Sequence, residues 1–187
     1  GYVYSTGEKS GVKNYAIDGK RYTGMEFLNI NIVQNPAQYY IIKKSFYNQN
    51  NLTFIKGLYH EDSLFTPILL YWTEVIVHDS FLYYVYNVRE NSIMTSGNNL
   101  RHCNDMIKIG TELNDFVNIN AKNFQEKKIF FKYISISVGA IYYYWKQMNK
   151  IDKSIISKKT PFIMLFKPVI LNLDFKYIAS LIFLKLR

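Results

Sequence analysis

The order of apolar and polar residues changes near Ser96–Asn99, where serine, glycine and asparagine mark a break between elements. Upstream of this segment, short apolar runs separated by turn residues predict a mixture of short strands and helices. From about Asn104 onward, the pattern predicts mainly helices. We therefore expect two parts, residues 1–100 and residues 101–187.

Turn and capping signals predict the first elements of the chain. Asp18 and Gly19 suit a tight two-residue turn, so residues 14–22 are predicted to form a small hairpin. Thr23 and Glu26 have the spacing of a capping box, which predicts a helix over residues 24–33 that ends before Pro36. The remaining predictions in this region are a strand at Tyr2–Ser5, a strand or helix at Tyr39–Tyr47, and a turn at Asn48–Asn51.

The segment Phe54–Phe65 carries the most informative group of polar residues. An apolar strand is followed by a glycine-containing loop, the acidic pair Glu61 and Asp62, and an apolar helix predicted to begin at Ser63. A carboxylate at Asp62 suits the helix start, because it accepts backbone N–H groups and meets the positive end of the helix dipole. An acidic pair beside His60 is also a common way to present a general base to a bound hydroxyl. On spacing alone, capping is the simpler interpretation.

Composition indicates a folded chain that contains no disulfide. Its 187 residues are 49% hydrophobic and 17% aromatic, which excludes a disordered polar chain and permits a substantial core. Cys103 is the single cysteine, so no intrachain disulfide can form, and a reducing, cytoplasmic setting is expected. His102-Cys103 lacks partners at zinc spacing, and His78-Asp79-Ser80 is too local for a catalytic triad.

The net charge lies entirely in the second part of the chain. Residues 1–100 hold 8 Lys/Arg and 8 Asp/Glu, whereas residues 101–187 hold 15 Lys/Arg and 6 Asp/Glu and so carry the whole +9. This region is rich in aromatic residues, and it crowds five lysines into a short stretch: Lys146, Lys150, Lys153, Lys158 and Lys159. An anionic membrane surface, a solvated helical face and nucleic acid are three interpretations of such a region. The membrane surface is favoured over nucleic acid, because no nucleic-acid motif accompanies the lysines.

Several segments of residues 1–115 match, in order, the elements of one enzyme family. They are Tyr22–Leu28, Ile42–Phe46, Phe54–Phe65 with its F…G…HED…F pattern, Thr66–Leu70 as a helix, Glu74–Val77 as a short strand, and the tyrosine-rich run Leu82–Met94. Together they resemble family 2 glycosyltransferases, which are inverting enzymes that use a nucleotide-sugar donor and have a GT-A fold. The family's donor-side strand and its metal-binding Asp-x-Asp do not occur in this sequence. The resemblance therefore implies the acceptor-side half of such an enzyme.

The fold class implied by the resemblance is α/β, leaning towards α+β. The expected architecture is an incomplete GT-A-like acceptor half with a small mixed sheet and helices, followed by a helical C-terminal region. Residues 1–100 would form the acceptor-side segment with the catalytic base, and residues 101–187 the basic, aromatic-rich helical region. The family's nucleotide-sugar half would precede this sequence in the parent protein.

The resemblance also implies roles for individual residues. Asp62 would be the general base, and Glu61 would contact the acceptor or raise the basicity of Asp62. His60 would orient the acceptor or approach the metal site, although a lone histidine there is more often a packing residue. Arg89 would reach a phosphate, with a surface ion pair as the alternative. A divalent metal, Mg²⁺ or Mn²⁺, is expected for the complete enzyme, with its ligands mostly in the absent half.

The function implied is transfer of a sugar from a nucleotide-sugar donor to a saccharide or lipid-linked acceptor in surface polysaccharide synthesis. The chain alone is expected to be inactive and to lie in the cytoplasm or on the inner face of the cell membrane; the sequence leaves open whether it forms a homo-oligomer. No nucleic-acid partner is expected. The alternative is a non-catalytic GT-A remnant that acts as a membrane- or partner-binding module.

Overall fold

The computed structural model describes residues 2–4, 16–30, 36–79, 81, 84–86, 97–171 and 175–185. Over these ranges the chain is mostly helical and includes two small two-stranded sheets, which is compatible with a mixed α/β class. Two compact units are present. The first unit comprises Gly1–Phe54 and Phe65–Ser96, and the second comprises Ile55–Leu64 and Gly97–Arg187. The segment with the acidic pair therefore belongs to the second unit, and the GT-A arrangement stays a prediction.

The described ranges contain four short strands, eight α-helices and one 3₁₀ turn. In chain order they are β1 (Tyr2–Tyr4), β2 (Arg21–Tyr22), α1 (Gly24–Ile30), the 3₁₀ turn (Ala37–Tyr39), α2 (Lys44–Gln49), α3 (Asp62–Trp72), β3 (Ile76–Val77), β4 (Tyr84–Tyr86), α4 (Asn99–Asn120), α5 (Phe124–Lys146), α6 (Lys150–Lys159), α7 (Phe162–Leu171) and α8 (Phe175–Lys185).

The strands of the first unit pair across long stretches of sequence. β1 is parallel to β4, with Val3 opposite Val85. β2 is antiparallel to β3, with Tyr22 opposite Ile76. The turn at Asp18-Gly19 forms, with Gly19 at φ 70°, but the strand after it pairs with β3. The strand that was expected to complete a local hairpin thus has a partner from much later in the chain, and residues 14 and 15 of the predicted hairpin lie outside the described residues.

The capping box that opens α1 is confirmed. The Thr23 N–H donates to the Glu26 carboxylate at 2.7 Å, and the Glu26 N–H donates to the Thr23 hydroxyl at 3.2 Å. Both otherwise unsatisfied donors at the helix start are thus paired. The helix is described as far as Ile30, and the predicted residues 31–33 lie outside the described ranges.

The first unit is held together by an apolar cluster with a stacked ring and by a close backbone approach at Gly24. Leu52, Phe65 and Leu69 form a buried apolar cluster, and the Phe54 ring stacks on Phe65 with centroids 4.0 Å apart. Gly24 approaches the end of α3 so closely that a Cβ there would overlap the Leu70 carbonyl.

The second unit is built around the antiparallel pair α4 and α5. On α4, Ile109, Leu113 and Val117 recur every four residues and are fully buried. On α5 the matching buried stripe is Phe130, Ile134, Val138 and Ile141. These spacings place each set on one helix face, so the two stripes form the core. α7 and α8 pack on α5, where the Tyr177 ring lies against Gly139.

Asparagine side chains cap the first three helices after the break at residue 97. Asn98 accepts from the Arg101 N–H, Asn123 from the Glu126 N–H, and Asn149 from the Asp152 N–H. Asn98 lies inside the break-and-turn segment noted in the sequence, so α4 begins at Asn99, five residues before the predicted position. Among the described helices, none is both long enough and apolar enough to cross a membrane.

Candidate functional site

Two residues in the loop before α3, which leads to the acidic pair, have a left-handed backbone conformation. Gly57 has φ 78° and His60 has φ 61°, a conformation that glycine adopts freely and histidine only with support. The Ser63 N–H then donates to the His60 carbonyl at 2.8 Å, and the helix begins at Asp62. The helix therefore begins one residue earlier than predicted, and Asp62 is its first residue, not the residue that precedes and caps it.

Side chains of α4 hold this loop from one side. The Asp105 carboxylate accepts from the Tyr59 N–H at 3.0 Å, and Arg101 donates to the Gly57 carbonyl at 2.7 Å. The Arg101 guanidinium also lies 3.8 Å from the centre of the Tyr59 ring and 3.7 Å from Asp105. Two backbone groups of the loop are thus satisfied by charged side chains, which gives stronger hydrogen bonds than neutral partners would.

A histidine pair forms a further contact between this loop and α4. His60 Nε2 lies 2.8 Å from His102 Nδ1, so one ring donates to the other. The His102 ring, which is 1% exposed, stacks on Tyr144 of α5 with centroids 4.3 Å apart and planes 8° from parallel. The Tyr144 hydroxyl is 3.5 Å from the same His60 nitrogen. We call His60, His102 and Tyr144 the histidine cluster.

Burial keeps His60 and Tyr144 neutral near pH 7. Desolvation, followed by the neighbouring His102, lowers the pKa of His60 from 6.5 to about 4, and Asp105 opposes this only in part. Desolvation also raises the pKa of Tyr144 above its usual value. A neutral His60 places no positive charge beside the acidic pair.

The predicted site residues have three different outcomes. Glu61 and Asp62 are adjacent and half-buried at the start of α3. His60 is directed into the histidine cluster, which corresponds to the packing alternative considered for it. Arg89 lies outside the described residues.

Sequence reasoning missed the residues that hold the loop. Each of these residues lies 42 or more positions along the chain from its partner in the loop. They are Arg101, His102, Asp105 and Tyr144. The i,i+4 spacing of Arg101 and Asp105 was the one available signal, and it indicates only a local ion pair.

Neither the histidine cluster nor the neighbouring thiol forms a metal centre. Within the ranges that the structure covers, no three His, Cys, Asp or Glu side chains converge as metal ligands. The Cys103 thiol donates to the Ile141 carbonyl at 3.2 Å. Burial raises the pKa of Cys103 to about 12, so it is a thiol at neutral pH.

No protein-family model, curated protein or solved structure matches this chain. The likeness to family 2 glycosyltransferases therefore stays a prediction from the residues that carry it.

Proposed function

We propose that this chain is the acceptor-side part of an inverting glycosyltransferase and that Asp62 is its general base. The observation that carries the proposal is the acidic pair at the first turn of α3, on a loop fixed by side chains of α4. Glu61 and Asp62 are half-buried, so they combine access to a ligand with a defined position. Catalytic groups need such support, because a displaced base loses most of its rate advantage.

The local electrostatics suit a carboxylate base. The positive end of the α3 dipole favours the ionised form of Asp62, which is the form that accepts a proton. The neighbouring Glu61 repels it and so works in the opposite direction, towards a more basic Asp62. His60 is neutral at pH 7 and adds no cation to the pair.

In the proposed reaction, Asp62 removes the proton from the acceptor hydroxyl as its oxygen attacks the anomeric carbon of the donor. The new C–O bond forms while the bond from that carbon to the nucleoside diphosphate breaks. The diphosphate leaves with the electron pair, and the configuration at the anomeric carbon inverts. Glu61 would contact the acceptor, and Arg89 would stabilise a phosphate. The described residues do not supply metal ligands, so we derive no step through a metal.

The proposal is tested first on the native gene product. Peptide mass spectrometry is expected to detect residues upstream of Gly1, among them an Asp-x-Asp segment. That product is then screened for transfer from nucleotide-sugar donors to saccharide and lipid-linked acceptors in the presence of Mg²⁺ or Mn²⁺. A native product that begins near Tyr2, or an upstream region without donor-site motifs, would contradict the enzyme proposal.

A second candidate function is a non-catalytic GT-A remnant that binds a membrane or a partner protein. It is favoured by the exposed lysines of α6, which no step of sugar transfer uses. Peripheral association with the inner face of the cell membrane is part of both candidates. Only the enzyme proposal requires that the Asp62 carboxylate contribute to turnover.

A further inference from the structure

The helix α6 is fixed to the second unit by one face only. Ile156 and Ser157 are buried, and the indole N–H of Trp145 donates to the Lys153 carbonyl at 3.1 Å. The ammonium group of Lys153 also lies 5.1 Å from the centre of the Trp145 ring. These contacts fix the rotation of α6 about its axis, so the identity of its outward residues is defined.

The outward face of α6 combines lysines with exposed aliphatic side chains. Ile151 is 75% exposed and Ile155 is 45% exposed, and together with Lys158 they follow an i, i+4, i+7 stripe. Lys150 is exposed beside this stripe, and Lys146 is exposed at the end of α5. We call Lys150, Ile151, Ile155 and Lys158 the basic face.

Among the residues that the structure describes, no acidic side chain forms an ion pair with the lysines of the basic face. The acidic residue of α6, Asp152, accepts from the side-chain amide of Asn149 at 2.9 Å at the helix start. Lys159, which is also exposed, donates to Asn104 of α4 at 2.7 Å and is therefore left out of the face.

We propose that the basic face docks the protein on an anionic lipid surface. Lysine ammonium groups pair with headgroup phosphates, while Ile151 and Ile155 enter the boundary between headgroups and acyl chains. Isoleucine offers no flat ring and no hydrogen bond to a nucleic-acid base, so the stripe fits lipid better. A second copy of the same face would bring like charges together, which disfavours self-association there. α6 then lies parallel to the surface.

The test is vesicle flotation of the whole chain. We expect binding to phosphatidylcholine vesicles that contain about 30% phosphatidylglycerol, little binding to pure phosphatidylcholine, and release as salt rises from about 0.1 M to about 0.5 M. Because each lysine near such a surface contributes about fivefold to partitioning, Lys150→Ala with Lys158→Ala should weaken binding about 20- to 30-fold.

A matched control removes one lysine near the opposite end of α5 and one from the connection just before that helix. Lys122 and Lys128 are exposed, and Lys128 is about 27 Å along the helix from Lys146. Lys122→Ala with Lys128→Ala changes the net charge equally and should alter partitioning less than about twofold, because screening limits the reach of charges to about 10 Å. Circular dichroism of both variants establishes that the helices are retained.

A third variant tests the aliphatic component. Ile151→Ser with Ile155→Ser keeps every charge and should weaken vesicle binding several-fold, with the salt dependence retained. The proposal is overturned by equal binding to neutral and anionic vesicles, by no binding to either, or by equal losses in the two lysine variants. Tight binding of a single-stranded oligonucleotide that survives both isoleucine substitutions would assign the face to nucleic acid instead. None of these outcomes depends on transferase activity.

Discussion

Acidification should destabilise the second unit through His60. The pKa of this imidazole is about 4 in the folded protein, against 6.5 without the fold. At neutral pH neither state is protonated, so the full stability is present above pH 6.5. As the pH falls from 6.5 to 4, the unfolded chain gains a proton that the folded chain does not take up, and stability is lost.

The size of the effect follows from the shift and its cause. With no screening, linkage gives a loss of about 2 kcal/mol at pH 5 and a limit of about 3.4 kcal/mol below pH 4. His60 is only partly buried, so solvent screening reduces the expected loss to about 1 kcal/mol at pH 5. The groups facing this imidazole are His102 and Asp105 of α4 and Tyr144 of α5.

The assay compares the wild type with His60→Asn. Asparagine tolerates positive φ and has no titrating ring, so it preserves the loop conformation better than other residues. Amide hydrogen exchange in α4 and α5 measures the opening free energy of the second unit. The variant should be less stable than the wild type at pH 7, and this difference should shrink by about 1 kcal/mol at pH 5.

Asn98→Ala is the control, because it destabilises the same unit without removing an ionisable group. Its free-energy difference from the wild type should be the same at pH 7 and pH 5. A His60 ring that titrates near 6.5 by NMR would refute the reasoning, and so would a gap between the wild type and His60→Asn that is independent of pH.

Three further predictions concern packing, thiol reactivity and capping. Gly24→Ala should cost about 2 kcal/mol or more by thermal unfolding, because its Cβ would overlap the Leu70 carbonyl, whereas Gly19→Ala, at φ 70° in open space, should cost about 1 kcal/mol. Equal costs would contradict this packing. The Cys103 thiol should react with an aromatic disulfide reagent at pH 8 far more slowly in the folded chain than in urea, since its pKa is about 12; equal rates would contradict its burial. Asn98→Ala should cost about 1 kcal/mol by removing the cap of α4, and a neutral effect would contradict the Asn98–Arg101 hydrogen bond.

Local signals in the sequence predicted several elements correctly. The capping box of Thr23 and Glu26 forms as its spacing indicates, since both partners lie within one helical turn. The break near residue 97 precedes the long helices of the second unit. The acidic pair does lie at a helix start, since α3 begins at Asp62, just before the apolar residues that follow.

Non-local pairings could not be predicted. The strand after Asp18-Gly19 pairs with Ile76–Val77, although a local hairpin has the lower loop-closure cost. The contact of His60 with His102 spans 42 residues and leaves no periodic signal, and φ 61° at a histidine has no residue signature. The lysines of α6 are evident in the sequence. Which isoleucine is exposed beside them is known only from the packed helix, where Ile156 is buried and Ile151 is exposed.

The central claim is that the Asp62 carboxylate acts as a general base. Its most direct test is the transfer rate of the native gene product carrying Asp62→Asn, which preserves shape and removes the base. We predict a fall in kcat of about 10²- to 10⁴-fold with the fold retained. Asp115→Asn, at an exposed position of α4, should leave the rate unchanged. An Asp62→Asn enzyme that transfers sugar at the wild-type rate would contradict the account.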